Sequence, residues 1–398
     1  MRLAVPFARS AIATSVARSA IVALAVALCA APGCTRDRDV VTVAVGVLPD
    51  ELAPYRDVVA DWAGSTGARV MVVPQQYADI RRALAAESAA GDGTLDLVEL
   101  DVHSLALAAA DVRVLDAAAL ADVVASLDPA TVRAGSIDGL RFVPHRVTWQ
   151  AMLYDHAALG APPATWDELL AVARAHPGKI GFKGARYEGL TCDLLPFVWS
   201  AGGDGAHFDD RGAHAAFALF ATLAPYLNPQ SAGFREATIV EAMARGELVL
   251  HVNWPFAAAA LASQGMAPDP IRTAPLPSGP AGRATVLGGG YLAIPRNAPH
   301  PDAALLLLRH LLSREVQERL GREVGWFSAR RDVPPAADGV LLAGFAATRG
   351  EARPRPERAD YPLLSRAWQD AFRAVVFDGV APDDALAAAA RATARDGG

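Results

Sequence analysis

The sequence predicts an α/β fold with two lobes, and three features of the 398-residue chain support that prediction. Hydrophobic residues make up 52% of the chain and charged residues only 20%, so the chain can bury a large core, and more than one. Short β-branched runs, such as Val40 to Val47 and Arg69 to Val73, alternate with alanine-rich helical stretches. This alternation favours an α/β architecture over a helical bundle or a β-sandwich.

Residues 1–33 have the features of a secretory signal peptide. Three arginines precede an uncharged apolar run from Ser19 to Gly33. That run is shorter than the roughly 20 residues that a membrane-spanning helix needs. The alternative is a true anchor helix at the same place. The polar residues 34–39 that follow are predicted to be a tether.

The charge of the chain argues against nucleic acid and anionic lipid as partners. The formal net charge is −6. Removing Arg2, Arg9 and Arg18 with the leader leaves 34 basic and 43 acidic residues, a net charge of −9. An acidic protein whose only mid-chain lysines are Lys179 and Lys183 is a poor candidate for binding such polyanions.

Three predicted strands alternate with two predicted helices at the start of the mature chain. The strand segments are VVTVAVGV, ARVMVVPQQ and TLDLVELDV. This βαβαβ order predicts a parallel sheet whose crevice lies beyond the carboxyl ends of its strands. Glu51, Asp79 and Asp101 lie near those ends, so they are candidate ligand-binding residues.

The rest of the chain is predicted to contain further helices and strands around two extended crossings. The segment FVPHRVTWQAMLYD, which contains Pro144, has the mixed polarity of a crossing strand, and a stretch rich in proline and glycine around Pro280 leads into another apolar strand. Between them, Thr165 is predicted to cap a helix, three residues before a glutamate. Residues 237–265 are predicted to form a helix, a strand and a second helix, and residues 301–325 to be helical. Closing helices are predicted at the C-terminus.

The sequence contains no specific signature of catalysis, so neither a cofactor nor a metal is predicted. Nucleophile-elbow, zinc-protease, P-loop and dinucleotide-binding motifs are absent in their required spacing. The segment GGDGAHFDDRGAH lacks the spacing of a calcium loop, and we interpret it as a surface turn. Glu99 and Asp101 alternate on one strand face, which leaves glycosidase chemistry open as an alternative to simple ion pairing.

Several longer segments together resemble one protein family. They are, in chain order, TWDELL, YEGLTCDLLPFVWSAGGD, EAMARGELVLHVNWPF, APLPSGPAGRATVLGGGYLAI, HPDAALLLLRHLLSREVQERL and YPLLSRAWQ. Their order resembles that in the extracellular solute-binding proteins, family 1, of ABC importers, which bind sugars such as maltodextrins and trehalose. The resemblance covers nearly all of the chain after Cys34.

The resemblance implies a periplasmic-binding-protein-like fold in which two α/β lobes, joined by crossing hinge strands, hold a ligand between them. The first lobe is expected to contain residues 40–144 and 286–331. The second is expected to contain residues 147–285 and 332–398, with C-terminal helices that can pack across both. The segments around Pro144 and Pro280 are expected to be the hinge strands.

The resemblance also implies a sugar site in the second lobe. Trp254 of the NWPF segment is expected to lie against a sugar face, with core packing as the alternative. Tyr187 and Glu188 resemble a binding-loop pair that recognises ligand, with an ordinary exposed loop as the alternative. Phe197, Val198 and Trp199 in the following helix are expected to be core.

The remaining candidate ligand residues carry over from the family in the same way. Gly288 and Gly289 resemble a glycine pair that lets the backbone approach the ligand, with a β-bulge as the alternative. Many members have an aromatic residue directly after the pair, whereas this chain has Gly290 and then Tyr291, which is also a candidate. Asp101 resembles a ligand-facing acid. The last two candidates are Arg353 and Arg355, with simple exposure to solvent as the alternative.

Cys34 resembles the acylated cysteine of bacterial lipoproteins. Gly33 and Ala31 fit that pattern, whereas Pro32 departs from it. Cys192 would then be left without a disulfide partner, as an isolated core residue.

The predicted function follows from the resemblance. It is a monomeric sugar-binding protein, not an enzyme, that is exported and lipid-anchored at the outer face of the cytoplasmic membrane or in the periplasm. It would capture an oligosaccharide such as maltose or trehalose by lobe closure and deliver it to permease subunits with an ATPase. The alternatives are a secreted glycoside-active enzyme and a sugar-sensing subunit that presents ligand to a receptor.

Overall fold

The computed structural model describes residues 40–47, 49–265, 270–334, 340–356, 358 and 360–395. The predicted signal peptide, Cys34 and the tether lie outside these residues. Residues Val41–Gly398 form one compact unit. None of the described helices combines the length and the apolar character needed to cross a membrane.

The described elements alternate between strand and helix along most of the chain. The strands are β1 (Val40–Val45), β2 (Arg69–Pro74), β3 (Leu97–Asp101), β4 (Val143–Trp149), β5 (Ala151–Asp155), β6 (Leu250–Asn253), β7 (Ile271–Ala274), β8 (Thr285–Ala293), β9 (Phe327–Ser328) and β10 (Ala352–Arg353). The helices are α1 (Pro49–Thr66), α2 (Tyr77–Ala90), α3 (Leu105–Ala108), α4 (Ala121–Ser126), α5 (Pro129–Ala134), α6 (His156–Leu159), α7 (Trp166–Ala175), α8 (Glu188–Ser200), α9 (Arg211–Leu223), α10 (Glu236–Ala244), α11 (Phe256–Ser263), α12 (Pro301–Leu311), α13 (Arg314–Val324), α14 (Val340–Thr348), α15 (Tyr361–Val376) and α16 (Pro382–Arg395).

The larger sheet belongs to the first lobe and is mixed. Its strand order is β2-β1-β3-β8-β4-β9, with β10 paired to β8. β1 and β3 are parallel, as predicted, but β8 runs antiparallel to both β3 and β4. The sheet is mixed because β8, which lies outside the predicted βαβαβ unit, returns from the other lobe in the opposite direction and inserts between β3 and β4.

The smaller sheet, β6-β5-β7, belongs to the second lobe, and the chain crosses between the two sheets at β4–β5 and at β8. Gln150 alone separates β4 from β5, and its carbonyl oxygen accepts a hydrogen bond from the Thr285 hydroxyl at 2.8 Å. Val286, near the start of β8, belongs to the same buried cluster as Phe372, whereas Leu292, near its end, belongs to the cluster that contains Val43 of β1. The crossing strands are thus confirmed. Pro280 was wrongly placed in one, since it lies in a turn closed by a bridge between Gly279 and Gly282.

Aromatic rings fill the core of the second lobe. Phe182 and Phe372 stack with ring centroids 4.7 Å apart, and Phe220 meets Phe372 edge to face at 5.0 Å. The predicted closing helices α15 and α16 pack into this core. Four residues predicted as core from sequence are buried here, namely Cys192, Phe197, Val198 and Trp199.

Local capping signals set several helix ends. The Thr165 hydroxyl accepts a hydrogen bond from the Glu168 backbone N–H at 3.2 Å, and α7 begins at the next residue, as predicted. The helical stretch predicted over residues 301–325 is divided into α12 and α13. Ser313 lies at the break, where its hydroxyl accepts from the Val316 N–H at 3.3 Å and starts the second helix.

Candidate functional site

One face of the central strands of the large sheet lies where the two lobes meet. The strand register places Asp101, Gly290 and Arg146 side by side on β3, β8 and β4, and Thr148 beside Gly288 one step further along. Side chains two residues apart on a strand share a face, so these five residues form one surface. We call it the crossing face.

Trp254 of the second lobe packs against the crossing face at Gly288. A side chain at Gly288 would approach the Trp254 ring to 3.1 Å and the Thr148 methyl group to 2.8 Å. Glycine is therefore needed here for the indole to approach the backbone. The indole itself is only partly buried. Trp254 therefore lies where the two lobes meet, and its contact with a ligand stays a prediction.

A buried ion pair lies behind Trp254. The Lys183 ammonium is 5.6 Å from the centre of the indole ring and 3.0 Å from Asp193 Oδ1. Gln150, at the crossing between the sheets, donates to the same carboxylate at 2.8 Å. Burial raises the pKa of Asp193 to about 6, although Lys183 and Gln150 act in the opposite direction. Lys183, which lies behind the Trp254 ring, is therefore connected through Asp193 to Gln150 at the crossing between the two sheets.

Arg355 joins the two lobes beside Gly290. Its side chain is almost fully buried, and its residue exposure is 4%. Nη2 donates to Asp101 at the end of β3, and Nη1 donates to Glu188 Oε1 at 2.9 Å at the start of α8. Glu188 also accepts hydrogen bonds from the hydroxyl groups of Tyr361 and Ser365 on α15. We call Asp101, Arg355 and Glu188 the Arg355 bridge.

The Arg355 bridge keeps Asp101 ionised. Burial by itself would raise the pKa of this carboxyl group, but the Arg355 guanidinium and His103 outweigh it and hold the pKa well below its ordinary value. His103 Nδ1 lies 3.0 Å from Asp101 Oδ1. The crossing face therefore presents a carboxylate that can accept hydrogen bonds.

A second ion-pair network lies on the first-lobe side of the crossing face. Both oxygens of the buried Glu99 accept hydrogen bonds from Arg146, each at 3.1 Å, and His145 Nδ1 lies 2.9 Å from Oε1. Although burial opposes ionisation, Arg146 and His145 lower the pKa of Glu99 to about 2. A side chain at Gly290 would collide with the Glu99 carboxylate. Glycine at that position is thus required by the network.

Arg146 also covers an aromatic ring. Its guanidinium carbon lies 3.9 Å from the centre of the Trp326 ring. Trp326 is held in place because its Nε1 donates to Glu51 Oε1 at 2.7 Å. Glu51, 6% exposed, is therefore part of this first-lobe network.

The paired carboxylates of β3 do not have the properties of a glycosidase pair. A general acid needs a raised pKa so that it carries a proton at neutral pH. Glu99 and Asp101 both have lowered pKa values, and each is paired with an arginine. This arrangement favours ion pairing and recognition over proton transfer.

The GGDGAHFDDRGAH segment forms a turn with exposed Asp204 and His207, and its last four residues begin α9. Asp204 Oδ1 accepts hydrogen bonds from the backbone N–H groups of Ala206 and His207. In the part of the chain that the structure describes, no three His, Cys, Asp or Glu side chains are grouped so as to hold a metal ion.

Two residues predicted to bind ligand lie away from the crossing face. Tyr291, 2% exposed, is buried in the first lobe and donates its hydroxyl hydrogen to the Thr131 carbonyl oxygen at 3.1 Å. It was wrongly predicted because alternation along β8 directs it opposite to Gly290. Asp79 is exposed on α2, where it pairs with Arg82, outside the crossing face.

The other predicted residues have mixed positions. Gly289 faces the same way as Tyr291, so only Gly288 of the predicted pair belongs to the crossing face. Tyr187 lies under the Arg235 guanidinium, whose carbon is 4.5 Å from the ring centre. Arg353 is exposed on β10, two residues before the buried arginine.

The sequence reasoning missed Arg146, Lys183 and Trp326. A usable signal existed for the first, since Arg146 is the one arginine in β4, a strand that crosses between the lobes. Lys183 is one of only two lysines in the chain and lies among glycine and aromatic residues. Trp326 follows a helix end and carries no pattern of its own.

Two lobes joined by crossing strands, with an aromatic ring and charged side chains where they meet, are the arrangement of a protein that binds a ligand between its lobes. Residues 57–342 match the family model described as "Bacterial extracellular solute-binding protein". The chain belongs to this family of exported binding proteins. A relative from Deinococcus radiodurans, described as a probable ABC transporter-binding protein, is 29% identical over 367 residues, which cover 82% of this chain and 86% of the relative.

Solved structures of the same fold are similar over most of this chain. Maltose-bound MalE3 of T. maritima matches with a TM-score of 0.79 at 25% identity, covering 88% of this chain and 98% of that one. The GacH receptor of Streptomyces glaucescens matches with a TM-score of 0.80 at 19% identity, covering 89% and 97%. A solute-binding protein of Thermotoga lettingae bound with alpha-D-tagatose matches with a TM-score of 0.80 at 22% identity, covering 89% and 98%. These matches confirm the predicted two-lobe fold.

Proposed function

We propose that this chain is the sugar-binding component of an ABC importer. The observation that carries the proposal is the partly exposed Trp254 indole against Gly288, beside the Arg355 bridge. A sugar ring has apolar C–H groups on its face and hydroxyl groups around its rim. An indole covers the first, and carboxylates and a guanidinium pair with the second.

The comparisons support this proposal. Similar structures include proteins described as bound with maltose, acarbose and alpha-D-tagatose, and the Deinococcus relative is described as an ABC transporter-binding protein. The resemblance of the sequence predicts an oligosaccharide such as maltose or trehalose. Whether the chain binds sugar at all is a separate question from the length of that sugar.

Capture by lobe closure is the proposed mechanism. We take residues 40–144 and 286–331 as one lobe and residues 147–285 and 332–398 as the other. The Arg355 bridge joins groups of both lobes, so its contacts form only where the lobes meet. A ligand that touches both lobes favours the same closed arrangement. A micromolar dissociation constant corresponds to about −8 kcal/mol, within reach of one stacked ring and several buried hydroxyl pairs.

Delivery and anchoring complete the proposal. The bound sugar would pass to permease subunits energised by an ATPase, and acylated Cys34 would hold the protein at the membrane. Replacing Cys34 with serine is expected to move the mature protein from the membrane fraction to the soluble fraction. Retention of that variant in the membrane would remove the lipid anchor from the proposal.

A thermal-shift screen tests the sugar assignment. Mono-, di- and trisaccharides at millimolar concentration are expected to include at least one that raises the melting temperature, because ligand binds the native state alone. Trp254→Leu should abolish that shift. Trp166→Leu is the matched control, since Trp166 is also partly buried in the second lobe but packs against Phe197. A panel without any stabilising sugar would end the sugar assignment.

A further inference from the structure

The arrangement around the crossing face limits the size of the ligand that the proposed function requires. Gly288 and Gly290 are two residues apart on β8, which is roughly 7 Å along a strand. Trp254 packs at the first position, and Asp101, the first-lobe end of the Arg355 bridge, lies beside the second. The floor of the site between the indole and the bridge is therefore only two residues long.

Other aromatic rings close to this floor already have a charged partner. Arg146 lies over Trp326, and Arg235 lies over Tyr187. Tyr77 packs on Gly46, and its hydroxyl group is 2.7 Å from Arg146 Nη2 and 3.1 Å from Glu99 Oε2. A second sugar ring that stacked on Trp326 or Tyr187 would compete with the guanidinium group that already lies against that ring.

The absence of a side chain at Gly290 does not create extra room. The Glu99 carboxylate occupies the space into which a side chain at this position would project. Glu99 is itself fixed by two hydrogen bonds from Arg146 and by contact with His145. The first-lobe wall of the site is therefore a rigid ion-pair network in place of a second stacking platform.

The charges next to the floor also restrict the ligand. The Arg355 guanidinium is shared between two carboxylates, Asp101 and Glu188, so the bridge has an excess negative charge. The Lys183 ammonium is already paired with Asp193. An acidic sugar would meet two carboxylates that share one arginine, whereas an uncharged sugar can donate its hydroxyl hydrogens to them.

We infer that the ligand is an uncharged sugar of a single ring, a monosaccharide, which stacks on Trp254 and donates hydroxyl hydrogens to the carboxylates of the Arg355 bridge. This inference rests on the proposed sugar-binding function and replaces the oligosaccharide expected from the sequence. The site would discriminate between sugars by their length, because the second ring of a disaccharide would have to displace either the Arg355 bridge or Arg146.

Calorimetric titration of matched sugars tests the inference. The series are glucose with maltose, trehalose and maltotriose, galactose with lactose, and xylose with xylobiose, together with the other common hexoses and pentoses and glucuronate. The best monosaccharide is expected to bind at least tenfold more tightly than any disaccharide that contains it, and more tightly than its uronic acid. Equal or tighter binding of a disaccharide or of glucuronate would overturn the inference and leave sugar binding intact. No binding by any sugar would remove the proposed function, and the inference with it.

A variant pair locates the length limit. Arg355→Met removes the bridge while keeping an apolar stem, and it is expected to shift the affinity ratio of disaccharide to monosaccharide at least tenfold towards the disaccharide. Arg353→Met, on the exposed arginine two residues earlier, should leave the ratio unchanged. If the two variants give the same ratio, the bridge does not set the limit. If Arg355→Met does not fold, the sugar series with the unmodified protein decides.

Discussion

Replacing Glu99 with glutamine should remove the contribution of the buried ion-pair network to the free energy of unfolding. That contribution depends on pH. Glutamine has nearly the shape of the protonated acid but cannot ionise. The pKa of Glu99 falls from an ordinary 4.5 to about 2 in the folded protein. At about 1.4 kcal/mol for each pKa unit, ionised Glu99 contributes about 3 kcal/mol to the free energy of unfolding at neutral pH.

The sign of this effect fixes the pH range. Because the pKa is lowered on folding, the contribution is complete above about pH 4.5 and is lost as the pH falls towards 2. Urea unfolding of the unmodified protein and Glu99→Gln is expected to differ by about 3 kcal/mol at pH 7 and by about 1 kcal/mol at pH 3.

The exposed Glu323 provides the control for that experiment. It pairs with Arg319 on the surface of α13, so Glu323→Gln should change the free energy of unfolding by less than about 1 kcal/mol at pH 7. A difference between the unmodified protein and Glu99→Gln that is constant with pH, or that grows in acid, would refute the reasoning about the network.

The remaining predictions concern single positions of the fold and are measured by thermal or urea unfolding. Gly290→Ala should destabilise by about 1–3 kcal/mol because its methyl group would collide with the fixed Glu99 carboxylate, whereas Gly64→Ala, in open space on α1, should stabilise by about 0.5–1 kcal/mol. Equal effects would contradict the collision. Tyr291→Phe should cost about 1 kcal/mol through the lost bond to Thr131 and leave sugar affinity unchanged; lost affinity would restore Tyr291 to the site. Thr165→Ala should cost about 1 kcal/mol as a lost helix cap, and no change would mean that the cap is not needed.

Much of the fold was predictable because its signals are local. The cap at Thr165, the β-branched strands and the apolar helix around Phe197 depend on residues near in sequence. The direction of β8 was not predictable in this way. β8 pairs with β3 and β4, which lie more than one hundred residues earlier in the chain. No local pattern encodes so distant a pairing.

The candidate site was predictable only where one residue has one dominant chemistry. The predicted residues that lie where the lobes meet are Trp254, Gly288, Asp101, Glu188 and Arg355, and their contact with a ligand stays a prediction. Tyr291 was misassigned because alternation along a strand shows only which residues share a face. It does not show which of the two faces points to the site until one residue of the strand has been placed. Arg146 was missed since its role depends on Glu99 and Trp326, which are distant in sequence.

Calorimetric titration of the best sugar from the screen into the unmodified protein and into Trp254→Leu tests the central claim most directly. The account predicts one sugar bound per chain, recovered chemically unchanged, with binding abolished in the variant and retained in Trp166→Leu. Binding of undiminished affinity to Trp254→Leu, or recovery of a cleaved sugar, would contradict it.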